Sequence, residues 1–120
     1  MKVYTDIEQS KKLTEILPPE NADMWWNTEK HYPEFVKTYR EHLGEQISPI
    51  PVWSLAALLN ILPHCIDDGY DLTLGKLPDN ESWYVCYDDV DHFVYIYITK
   101  SNLVDACVEM IIRLKEYDLL

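Results

Sequence analysis

Glycine is scarce in this chain: only Gly44, Gly69 and Gly75 occur among 120 residues. A phosphate-cradling loop needs closely spaced glycines at a helix start, so nucleotide-binding loops of that kind are excluded. No G-x-S-x-G elbow is present to raise a serine nucleophile. Cysteine is nearly as sparse, and the three that occur, Cys65, Cys86 and Cys107, cannot all pair within one chain. Their even spacing marks no repeat, because the flanks PHCID, YVCYD and DACVE share no pattern. The polar opening MKVYTDIEQSKKLTEIL reads as a helix and not as an export signal, so the expected setting is a reducing cytoplasm. Long apolar runs are missing too. The longest, around Leu55 to Leu62 and Phe93 to Ile98, fall far short of the roughly 20 residues of a membrane span.

Positive charge is the last shortage. Ten bases stand against twenty-one acids, a formal net charge of −11, which disfavours direct binding to nucleic acid phosphates or to an anionic membrane. The excess is uneven: residues 67–91 hold eight acids and a single base. A run of this kind is either a solvated rim of turns or a cation-seeking surface. In other respects the composition is ordinary, 48% hydrophobic and 26% charged, and fits one domain over residues 1–120. At this size the fold buries roughly 65% of its unfolded surface and needs neither disulfide nor metal.

Periodicity predicts a mixed fold. Thr5 and Glu8 form a T-x-x-E capping box ahead of the stripe Ile7, Leu13, Ile16 and Leu17, and Pro18 and Pro19 end that helix. ADMWW is a candidate short strand, and residues 33–44 (PEFVKTYREHLG) carry helical spacing with Pro33 in the first turn and Gly44 as C-cap. The stretch PIPVWSLAALLNILPHC predicts a short helix capped by Ser54, stapled by Trp53 onto Leu58, stopped by Pro63 and buried on most of its faces. YDLTLGKL, SWYVCYDD and HFVYIYIT then read as antiparallel strands. In the last of them Val94, Ile96 and Ile98 are expected to face the helices, with Phe93, Tyr95, Tyr97 and Thr99 opposite. A final helix starts at Asn102 and runs Leu103, Ala106, Cys107, Met110, Ile111 and Leu114 along its apolar stripe. The expectation is α+β: a small antiparallel sheet of about three strands, with room for a fourth short one, packed against three or four helices.

Chemistry is harder to find. DDVDHF superficially resembles a calcium loop, but the glycine of the sharp turn is missing and the twelfth position counted from Asp89 is Lys100. Zinc spacings such as C-x-x-C or H-E-x-x-H do not occur. PHCIDD sets Cys65 beside His64 and near Asp67 and Asp68, yet catalytic partners converge from distant segments and seldom from neighbours. No catalytic, cofactor or metal site is therefore predicted.

Four blocks, YTDIEQSKKLTEILP, ADMWW, PVWSLAALLNILP and NLVDACVEMIIRLKEYDLL, resemble a family of short uncharacterised proteins of gut bacteria, often encoded among prophage or mobile-element genes. They cover about half of the chain. Leu103 departs from the pattern, since the family favours proline there, and a first helical turn tolerates either. The resemblance implies a phage-linked accessory protein and transfers no activity, cofactor or catalytic residue. The function expected is a protein-binding module, its surface formed by Asp88, Asp89 and Asp91 with Tyr95 and Tyr97. An acidic DNA mimic is the alternative and a small enzyme the least supported. The partner expected is an unidentified protein, with no direct nucleic acid binding and no membrane, and homodimer formation is left open.

Overall fold

The computed structural model describes residues 1–27, 30–35 and 50–120. Its described residues form three α-helices, a 3-10 turn and two antiparallel sheets, an α+β arrangement. Helix α1 (Ile7–Ile16) is capped by Asp6 and not by Thr5. The Asp6 carboxylate accepts from the Gln9 amide at 2.8 Å, and the Gln9 side chain accepts from the Asp6 amide at 3.1 Å. The capping box thus lies one residue later than Thr5 and Glu8 suggest. Thr5 is fully buried instead, where its hydroxyl accepts from the Trp53 amide at 3.1 Å and meets the Ser10 hydroxyl at 2.8 Å.

A 3-10 turn (Pro19–Asn21) leads into β1 (Met24–Asn27), which pairs with β2 (Tyr32–Phe35) on one side and β3 (Pro51–Val52) on the other. This second sheet corrects the expectation of a single one. It also corrects the helix predicted over 33–44, because Pro33, Glu34 and Phe35 belong to β2. Pro33 is tolerated there since β2 is an edge strand, where a missing N–H breaks no ladder. The rest of that predicted helix lies outside the described residues.

Helix α2 (Leu55–Ile61) starts at Ser54, whose hydroxyl accepts from the Ala57 amide at 3.2 Å. Trp53 and Leu58 are both fully buried in one core. The helix buries a narrower face than expected: within it only Leu58 is fully enclosed, and Ala56 and Asn60 are exposed. Its surroundings are a junction of the chain. The Asp23 carboxylate accepts from the Ser54 amide and hydroxyl, and Trp53 Nε1 donates to Asn21 at 2.9 Å. Leu55 N–H donates to the Val3 carbonyl at 2.8 Å, which ties the N-terminal segment to the same point.

The main sheet runs β4 (Cys65–Ile66), β5 (Tyr70–Lys76), β6 (Trp83–Asp88) and β7 (Val94–Lys100) in that spatial order, an antiparallel meander with the short fourth strand at one edge. Asp67 and Asp68, both with positive φ, make the tight β4–β5 turn, a conformation aspartate tolerates better than most residues. Helix α3 (Leu103–Glu116) then crosses β6 and β7 with one face and meets α1 and α2 with the other. Because it is packed on both sides, Leu103, Val104, Ala106, Cys107, Val108, Met110, Ile111 and Leu114 are all buried. Opposite them stand Val85 and Tyr87 of β6 and Ile96 and Ile98 of β7.

Candidate interaction surface

The β6–β7 connection is built by its aspartates. Asp89 accepts from the amides of Asp91 and Phe93, each at 2.9 Å, and its own amide donates to the Phe93 carbonyl at 3.1 Å. His92 takes a positive φ of 64° to close the turn. Asp88 points back onto the sheet, where it accepts from the Thr73 hydroxyl at 2.8 Å and approaches His92 Nδ1 at 3.4 Å. The Thr73 hydrogen bond holds the Asp88 carboxyl below the ordinary range. Of the three aspartates expected to form an acidic surface, Asp88 and Asp89 are therefore occupied within their own loop, and Asp91 is exposed. Asp79 is likewise taken up in the β5–β6 loop by the amides of Glu81 and Ser82.

Two residues outside the expected contact surface stand out from this fixed turn, Val90 and Phe93, the latter on the solvent side as its strand pattern predicts. Val90 is 86% exposed and Phe93 69% exposed, with Val94 beside them. An aliphatic and an aromatic side chain held this far into solvent by a hydrogen-bonded turn are costly unless something covers them. The sequence signal for Val90 is a valine enclosed by aspartates in turn text.

Beyond the turn, β7 does not alternate as expected. A register shift between Tyr87 and Asp88 sets Val94 opposite Asp88, while Ile96 stays opposite Tyr87. The bulge adds Tyr95 as an extra residue and reverses what precedes it. Val94 is accordingly exposed, a correction to its placement on the helix-facing side. Tyr95 and Tyr97 do not form one patch either. The Tyr95 ring meets Tyr70 edge-on at 5.0 Å, and Asp67, within hydrogen-bonding reach of its hydroxyl, holds the phenol above its ordinary range. Tyr97 instead stacks on Tyr84, centroids 5.9 Å apart and planes 12° from parallel. Tyr84 in turn lies over Gly75, so close that a Cβ there would stand 3.0 Å from its ring. Tyr84, Cys86, Tyr97 and Thr73 thus share the side of the sheet turned away from α3.

The remaining candidate residues are placed as follows. Cys65 is half-buried beside the β4–β5 turn, which Asp67 and Asp68 form. Cys107 is enclosed by α3 and the sheet, and burial pushes its thiol up to about 12. Among the described residues no group of three or more His, Cys, Asp or Glu is arranged to hold a metal ion, and no helix is long and apolar enough to cross a membrane. A hollow of about 480 Å³ lies between Tyr4, Asp6, Ile7, Glu8 and Trp26, but its Asp6 carboxylate is engaged by Gln9 and Lys2 at the start of α1. Comparison with protein-family models, with curated proteins and with solved structures finds no match to this chain.

Proposed function

We propose that this chain is a small protein-binding module whose contact surface is the β6–β7 hairpin tip, with Val90 and Phe93 as apolar anchors and Asp91 at their rim. The observation that carries it is the exposure of these two side chains on a turn that Asp89 holds in one conformation. Aromatic and aliphatic anchors presented by a pre-ordered loop bind with little loss of conformational freedom, and a charged rim sets the approach of a complementary partner. The likeness to prophage-linked proteins directs the search to proteins of a bacterial host.

Affinity capture from bacterial lysate, followed by titration of the captured protein, tests the reading. The Val90→Ser/Phe93→Ser variant is expected to bind at least about tenfold more weakly, a loss of roughly 1.4 kcal/mol, while Asp91→Lys acts mainly on association rate and salt dependence. Specific capture that survives the double substitution at full strength rejects the hairpin tip as the contact surface.

A further inference from the structure

The two edges of the main sheet are unlike. Strand β4 is two residues long and flanked by Asp67 and Asp68, a short, charged edge of the kind that blocks unwanted pairing. Strand β7 is seven residues long and, among the described residues, pairs on one side alone. From Val94 to Thr99 it contains no charge, proline or glycine, and its single bulge lies at its beginning. An edge of this length and composition is a template for another strand.

We propose that the edge of β7 is a self-association surface, on which a second copy of this chain adds its own β7 antiparallel about a two-fold axis. Local charge sets the direction of pairing. The chain as a whole carries −11, yet the edge itself has only Lys100, at its far end, and the acidic turn with Asp88, Asp89 and Asp91 precedes its start. Antiparallel pairing lays Lys100 of each copy alongside the acidic turn of the other, so the two ends match twice. A parallel arrangement would set lysine beside lysine and aspartate beside aspartate.

The side-chain pattern fits the same register. With Tyr97 on the axis, Ile96 of one copy lies opposite Ile98 of the other, while the bulge residue Tyr95 stays turned toward Tyr70 of its own copy. Both isoleucines are already on the helix-covered side, so the cores abut and no face is inverted. On the opposite side the stacked Tyr84 and Tyr97 continue into Tyr97 and Tyr84 of the second copy. The product is one eight-stranded sheet with the blunted β4 edges outermost, so assembly closes at the dimer.

Sedimentation equilibrium from about 1 µM to about 1 mM chain measures the association directly. The expected result is a monomer–dimer equilibrium that Tyr97→Lys, which sets two like charges on the axis at an already exposed position, weakens by at least about tenfold. Lys100→Glu, far from the core, is expected to weaken the dimer similarly and to make added salt favour association more strongly than it does for the parent chain. A chain that stays monomeric to about 1 mM, or a dimer indifferent to both substitutions, overturns the proposal. Because self-association is read without any partner protein, its outcome is separable from the capture experiment on the hairpin tip.

Discussion

The two sides of the β5–β6–β7 sheet use the same residue type for opposite ends. Tyr87, toward α3, is fully enclosed, and its hydroxyl donates to the Pro63 carbonyl at 2.6 Å. Tyr97, one strand over and on the other side, is 48% exposed and touches Tyr84 by ring stacking. On the covered side each side chain is held by packing that has one solution. On the open side the aromatic rings hold each other and leave area free. The first arrangement sets the stability of the protein, and the second leaves aromatic surface open to water.

Truncation tests this contrast with the largest expected effect. Ile98→Ala removes buried volume against α3 and is expected to cost about 2–4 kcal/mol. Tyr97→Ala on the neighbouring position removes more atoms, yet is expected to cost less than about 1 kcal/mol because water already covers much of the ring. Urea denaturation at a concentration where the chain is monomeric measures both. Similar losses from the two variants would show that something covers the open side.

Alkaline pH separates the sides by a second route. Burial pushes the Cys107 thiol up to about 12, and pushes the Tyr87 phenol up with added repulsion from Cys107 and Cys65. On the open side Cys86 is also raised, by burial and then by Asp88. A raised pKa in the folded state means stability that is complete below the unfolded value and lost as pH climbs toward the folded one. For the thiols that loss starts near pH 8.5, with a slope of up to about 1.4 kcal/mol per pH unit for each group. Cys107→Ala is expected to flatten the profile between pH 8.5 and 10 more than Cys86→Ala does, as read by unfolding free energies across that range. An equal effect of the two would place them in equally dry surroundings.

Much of this division was legible in the residues. The strands of the meander, the caps at Ser54 and Asn102 and the stripe of α3 all follow from local patterns whose physical cause is local. What escaped depends on partners distant in the chain. Thr5 suits an N-cap as well as Asp6 does, and only the Trp53 amide, 48 residues away, draws it into the core. Pro33 to Phe35 have helical spacing, but pairing with β1 decides them as a strand. At the candidate surface the acidic character was visible and its deployment was not. Whether an aspartate faces solvent or caps its own turn depends on which amides the bulge and His92 bring within reach.

The smallest expected effect bears on what the open side is for. Tyr84 sits on β6 diagonal to Tyr97, with Gly75 opposite it leaving space for the ring to lie flat. A diagonal aromatic pair at the surface contributes about 0.5 kcal/mol of mutual stabilisation, toward the lower end of the range for ring pairs. A double-mutant cycle of Tyr84→Ala and Tyr97→Ala isolates that coupling from the area each ring buries alone. Gly75→Ala provides an independent handle, since the added methyl must displace the Tyr84 ring and should lower the coupling and the near-ultraviolet dichroism of the tyrosines together. A coupling near zero would mean that the rings lie side by side without holding each other. In that case the flat surface is maintained by the strands beneath it, and either tyrosine is free to move without cost to the other.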